Sequence, residues 1–396
     1  VTEGDQCVIK GETMPNRIPA FASVLAVCVV GLVATSIASA QRATDIPRTS
    51  SGRPDLSGTY DTATVTPLQR PRHFGDRATL TAEEAALIAA EPDGLARTFN
   101  LAPAGSDERA AVRGDEQRAG FETGDGNREA PPRGGDGSGG AAGNVGGYNT
   151  FWIDRGDAGF QIDGEYRTSV IIDPADGRQP PRTAEFRAAA AARAGSFRAN
   201  DGTAWWLEGD LNAAGPYDDP EIRPHAERCL MGFGSTAGPP MLSVLYNNMK
   251  RIVQTEDTVM ILVEMVHDAR IVRMNQEHNP PELRSWLGDS VGHWEGDTLV
   301  VDTTNFTDNP SLGGASRNLH VVERFSRIDS DTLLYRFTVE DPTVWTAPWT
   351  GEYVWPSSDD KVYEYACHEA NYSFGGILRG ARVLEQDVRD AAGVRD

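Results

Sequence analysis

Four of the chain's seven histidines, His267, His293, His320 and His368, fall within runs rich in Val, Leu, Tyr and Phe. A carboxylate lies close in sequence to most of them, and Asp302, Glu323 and Glu369 are the acids that could serve. Neutral imidazole takes up a proton near neutral pH, and a carboxylate behind it holds the tautomer and stabilises the cation, which is the minimum equipment for general acid–base catalysis. The same four imidazoles could instead bind a divalent transition metal such as zinc, which prefers nitrogen and carboxylate ligands. His267, His293, His320 and His368 are therefore candidate bases or metal ligands, and Asp302, Glu323 and Glu369 candidate orienting or protonating groups. No HExxH pair, nucleophile elbow, or nucleotide, flavin or haem motif is present, so hydrolysis or elimination fits better than redox chemistry. Taken singly, an in-strand histidine is more often a hydrogen-bonded structural residue, and only convergence of several would mark a site.

Strand parity proposes which of these side chains share a face. In the run 261–271, Ile261, Val263, Met265, Ala269 and Ile271 alternate onto one apolar face, and His267 falls on it. A two-residue Gly296-Asp297 loop would set His293 opposite Val300, with Asp302 one diagonal step away on the same face. In 319–325, His320 shares a face with Val322 and Glu323 with Val321 and Phe325, so one of the two must look inward. His368 is in phase with Glu364, and Glu369 with Cys367. Asp297 and Asp331 suit turns, and Arg270, Arg324 and Arg336 suit the role of salt-bridge or barrel-rim partners better than that of substrate clamps.

The elements that must hold these groups are hairpins. Four times an aspartate closes an acidic turn and launches an apolar strand, at Asp257, Asp297, Asp331 and Asp360. Successive hairpins predict a mainly β fold, an antiparallel meander closing into a lipocalin-like barrel with an interior cavity; a β-sandwich is the alternative. No run of βαβ units appears, which argues against a parallel α/β sheet. Short helices are expected in the N-terminal half: one opened by the capping box Thr81-Ala82-Glu83-Glu84, and one inserted near 184–199. Strands are also expected at 148–154 and 166–173. The aromatic tract 345–355 suits a platform for a sugar or aromatic ligand, and equally core packing or a plug over the barrel mouth.

Along the chain, residues 1–40 are expected to be an upstream extension plus a signal peptide, with Arg17, an apolar run from Phe21 to Val33, and Ala38-Ser39-Ala40 in the order of an export signal. Residues 41–147 read as a polar tail, a short helix and a Gly-rich loop, and 148–396 as the barrel domain. Export places the protein in the periplasm or outside the cell, without membrane insertion after signal cleavage. Cys229 and Cys367 remain beyond the leader and are expected to pair in an oxidising compartment. A formal net charge of −21 disfavours nucleic acid as a partner. A small-molecule ligand or substrate is the expected partner.

The segments 52–58, Val291-Gly292-His293-Trp294-Glu295-Gly296-Asp297-Thr298-Leu299-Val300-Val301-Asp302-Thr303, 319–325 and Tyr365-Ala366-Cys367-His368-Glu369 resemble a family of uncharacterised exported proteins of soil bacteria. The resemblance implies export and a common architecture and assigns no catalytic residue. Three functions are consistent with these features: a small-molecule-processing hydrolase or lyase, a non-catalytic lipocalin-like binding protein for a hydrophobic ligand, and an envelope scaffold.

Overall fold

The structure, a computed structural model, describes residues 46–89, 156–196, 202–232, 234–244 and 246–394. The leader, the Gly-rich loop and the expected strand at 148–154 lie outside the described residues. What is described is mainly β: a ten-stranded sheet curled into a half-barrel. Its strands are β1 (Gly58–Asp61), β4 (Ile171–Asp173), β5 (Met249–Gln254), β6 (Thr258–Val263), β7 (Ala269–Met274), β8 (Asp289–Glu295), β9 (Thr298–Thr304), β10 (His320–Arg327), β11 (Thr332–Glu340) and β12 (Trp349–Pro356). A two-stranded ribbon of β2 (Gln161–Ile162) and β3 (Glu165–Tyr166) stands apart. The sheet order is β1-β5-β6-β7-β8-β9-β10-β11-β12-β4. The curl brings β1 back to the end of β12, where Tyr60 bridges Ser357 and the Ser358 N–H donates to Thr59 O at 2.9 Å. The barrel thus draws its first strand from upstream of residue 148, the expected domain boundary.

Three of the four aspartate turns do start strands: β6 at Thr258, β9 at Thr298 and β11 at Thr332. The fourth does not. After Asp360 the chain runs without strand structure to a short helix, α3 (Cys367–Ala370), so the expected strand carrying His368 and Glu369 is a strap and a helix instead. Cys367 there is disulfide-bonded to Cys229, 138 residues away, with a Cα–Cα distance of 5.7 Å.

The sheet departs from a pure meander once, because β7 and β8 pair in parallel. A parallel step needs a crossover, and residues 275–288 supply one without a helix.

Helices flank the sheet. α1 (Ala82–Ala89) opens with the expected capping box: the Glu84 N–H donates to Thr81 Oγ1 at 3.1 Å, and the Thr81 N–H donates to Glu84 Oε2 at 2.9 Å. α2 is Ala184–Ser196. The long C-terminal helix α4 (Tyr372–Ala391) was not expected. It buries Ala381 and Glu385 against Trp206 and Leu207, with Leu384 and Val388 beside them, the spacing of one helical face. The Trp206 indole N–H donates to Glu385 Oε1 at 2.9 Å.

The inward face is packed, not hollow. Phe325, Tyr335, Phe337, Trp349, Tyr353 and Trp355 are all at most 1% exposed and touch one another in tilted or edge-on pairs. The expected interior cavity is replaced by this aromatic core, and the tract 345–355 serves packing. Large planar groups fill the wide curl of the sheet more completely than aliphatic ones, and offset contacts suit their quadrupoles.

Candidate functional site

Which face each side chain takes follows from the curl. Odd positions of β9 to β12 point inward, as Val301, Val321, Tyr335 and Tyr353 show. Glu323 is therefore inside and His320 outside, which settles the choice that parity left open. Inside, Glu323 is fully buried and grips Arg270 with bonds of 3.0 and 2.5 Å. The Tyr335 hydroxyl donates to the same carboxylate at 2.7 Å, and burial pushes its own pKa well up. Arg270 faces inward because the chain turns over residues 264–268 between β6 and β7, so the 261–271 run is a hairpin and not one strand. That turn also takes His267 off the apolar face and into solvent. Glu323, walled off with Arg270, holds the core together and is not placed to meet a substrate.

On the outer face, the crossover brings together a cluster in which imidazoles and carboxylates touch in series. Asp302 on β9 receives His278 Nε2 on Oδ1 at 2.8 Å and His320 Nε2 on Oδ2 at 2.8 Å. His278 Nδ1 lies 3.0 Å from Asp289 Oδ2. Asp289, opening β8, also accepts the Asn279 N–H at 2.8 Å and the Arg273 guanidinium at 2.9 and 3.0 Å. At the far end, His320 Nδ1 stands 3.8 Å from Glu340 Oε2. The chain Arg273, Asp289, His278, Asp302, His320, Glu340 thus crosses β7 to β11 through the crossover loop.

The electrostatics follow from these contacts. Burial raises the Asp302 pKa, but hydrogen bonds from His320 and His278 outweigh it and hold the carboxyl below its ordinary value. His320 is raised above its ordinary 6.5, first by its bond to Asp302. Burial likewise pushes Asp289 up and is outweighed by the Asn279 N–H, His278 and Arg273. The two histidines differ in what is left over. Both ring nitrogens of His278 face carboxylate oxygens, which accept only, so both contacts are hydrogen bonds when the ring carries both protons; His278 is a pin. His320 has a close hydrogen bond at Nε2 alone, its Nδ1 standing 3.8 Å from Glu340 Oε2 in a ring 36% exposed.

The other expected site residues are not part of this cluster. His293 does lie opposite Val300, as the two-residue loop requires, but its ring is on the exposed outer face and pairs with Glu295 at 3.3 Å. His368 and Glu369 are exposed on α3. The four histidines expected as zinc ligands, His267, His293, His320 and His368, do not converge, and no group of three or more His, Cys, Asp or Glu among the described residues is arranged to hold a metal. Arg270, Arg324 and Arg336 all form the salt bridges expected of them, with Glu323, Glu295 and Glu352.

Sequence reasoning missed His278 and Asp289. His278 sits in a loop before Pro280-Pro281, where no periodicity assigns a face, and Asp289 opens a strand whose parallel pairing was not foreseen. The signal available was composition alone: Glu277-His278-Asn279 is a polar, chemistry-bearing triplet between two apolar runs. No family model matches the chain, and no curated protein or solved structure proves similar to it.

Proposed function

We propose that the protein is an exported enzyme of the hydrolase or lyase type, acting on a small molecule by general acid–base chemistry at His320 on the outer wall of the half-barrel. The observation that carries this reading is the Asp302 carboxylate, which holds the His320 ring by Nε2, with the ring 36% exposed and Nδ1 beside Glu340 Oε2 at 3.8 Å. That is the orienting carboxylate–imidazole arrangement which lets a histidine cycle between base and acid. The packed interior weighs against a lipocalin-like carrier, whose ligand would need the space the aromatic core occupies. Export is supported by the Cys229–Cys367 bond, which suits an oxidising compartment, and no helix among the described residues is long and apolar enough to cross a membrane.

The test is turnover of a panel of chromogenic esters and glycosides by the full chain, compared with His320→Gln and Asp302→Asn. Loss of about a hundred- to ten-thousand-fold in kcat/KM for His320→Gln is the expected size for removal of a general acid–base group. A panel with no turnover, or turnover that His320→Gln leaves unchanged, overturns the reading.

A further inference from the structure

Between the outer surface of β5 and β6 and the strap 358–364 the protein is hollowed into an open groove of about 650 Å3, a volume in the range of small-ligand sites. Its floor is one in-register row of the sheet, Thr59, Arg251 and Leu262. The turn between β6 and β7 forms one rim and contributes Glu264 and His267, and the strap forms the opposite wall.

Charge is distributed unevenly between the two sides. The floor offers the Arg251 guanidinium and the rim the His267 ring, and Glu264 is already held by the Asn247 side-chain amide at 3.1 Å. The strap carries Asp359, Asp360 and Glu364 against Lys361 alone. Among the described residues, the side chains of Arg251, Asp359 and Glu364 form no ion pair and no hydrogen bond with one another or with any neighbour, whereas His267 interacts with Asp268 beside it. Arg251 on the floor and Asp359 and Glu364 on the strap therefore line opposite sides of the groove without pairing. Such groups gain most from a guest that brings a charge of each sign. The floor continues as an apolar row: Val253, Met260 and Ile271 are cross-strand neighbours facing outward, with Val253 and Ile271 well exposed.

We propose that this groove binds a small dipolar molecule with an apolar body, namely a hydrophobic amino acid or a short peptide with free termini. The carboxylate is taken by Arg251, the ammonium by Asp359, Asp360 and Glu364, and the apolar side chains lie on Leu262 and the row beyond it. The site is separate from the His320 cluster and does not depend on the catalytic reading.

Calorimetric titration of the full chain with the dipeptide Leu-Leu, its N-acetyl form and its amide tests this. Free Leu-Leu is expected to bind, with each blocked form about tenfold weaker, as befits the loss of one charged contact. Arg251→Gln should abolish the difference between Leu-Leu and the amide, and the triple change Asp359→Asn, Asp360→Asn, Glu364→Gln the difference between Leu-Leu and the N-acetyl form. In the unsubstituted protein, the His267 and Tyr363 ring resonances should shift on addition of Leu-Leu. Absence of saturable binding, equal binding of the three forms, or a preference for the carboxylate that survives Arg251→Gln overturns the proposal.

Discussion

Arg270 and Glu323, from strands β7 and β10, meet inside the half-barrel in a two-bond pair that solvent hardly reaches, with side chains 2% and 0% exposed. Each charge is tolerable there only because the other is present, and Tyr335 satisfies one further carboxylate lone pair. Removing one partner is far costlier than removing both. Glu323→Leu is expected to destabilise by about 3–5 kcal/mol, as the loss of one partner in a buried pair does, while Arg270→Met combined with Glu323→Leu should cost much less. Urea unfolding of both single variants and the double variant checks this; a double-variant loss equal to the sum of the two single losses would show that the charges are not coupled.

Lys250 makes stability depend on pH in the alkaline direction. It is completely buried, donates to Thr62 Oγ1 at 3.0 Å, and burial lowers its pKa from 10.5 to about 7, only partly opposed by Asp61. Between those two values the unfolded chain binds a proton that the folded chain does not, so stability should rise with pH from about 7 towards 10. Lys250→Met should remove this rise and stabilise the protein at pH 7. Thr62 keeps its bond to Asn248 O at 2.9 Å in that variant. Melting temperatures across the window, with and without the substitution, decide the matter.

His320 acts in the opposite sense. Its folded pKa is raised above 6.5, chiefly by Asp302, so its contribution to stability is full below 6.5 and is lost as pH rises through the folded value. The same shift sets the catalytic profile: as a base, His320 must be neutral, so kcat/KM should climb with pH along a limb lying above 6.5. In Asp302→Asn that limb should move to lower pH while activity falls. A limb that stays in place would separate Asp302 from the catalytic group.

His278 should govern the crossover and not the chemistry. Its ring ties the loop 275–288 to Asp289 and Asp302, and Asn305 Nδ2 adds a bond to Asn279 O at 2.9 Å. His278→Ala is expected to cost about 1–3 kcal/mol, the range for stripping the donors from partly buried carboxylates. Amide exchange should quicken in 275–288 before anywhere else in the sheet. Unchanged exchange in that loop would mean that its other bonds, Asn305 Nδ2 to Asn279 O and Arg284 to Phe306 O and Arg317 O among them, hold it without His278.

The Cys229–Cys367 bond closes a loop long enough for a large chain-entropy effect. Cys229→Ser with Cys367→Ser should lower stability by about 5 kcal/mol on that account, less whatever the reduced chain regains by relaxing. Denaturant unfolding of oxidised and substituted protein measures it.

Local chemistry was enough to announce the hairpins. The Asp-Thr pairs ahead of β6, β9 and β11 combine a turn former with a β-branched start, and both act within a few residues, so no distant partner is needed to see them. Asp360 carries a similar signal and fails: no strand follows it, and the strap leads instead to Cys367, which is bonded to a segment 138 residues away. The capping box of α1 was equally legible, being a contact between residues three apart.

What the tertiary structure alone decided is orientation and convergence. Period-two alternation sorts Glu323 from His320 but does not say which set is inside; the direction of the sheet's curl does, and it buried the acid with Arg270 and turned the imidazole outward. The outer cluster likewise exists only because a parallel β7–β8 step sends the chain back across the sheet and carries His278 to Asp302. Alternation is a property of two adjacent residues, whereas a site is a property of strands whose pairing no local pattern records.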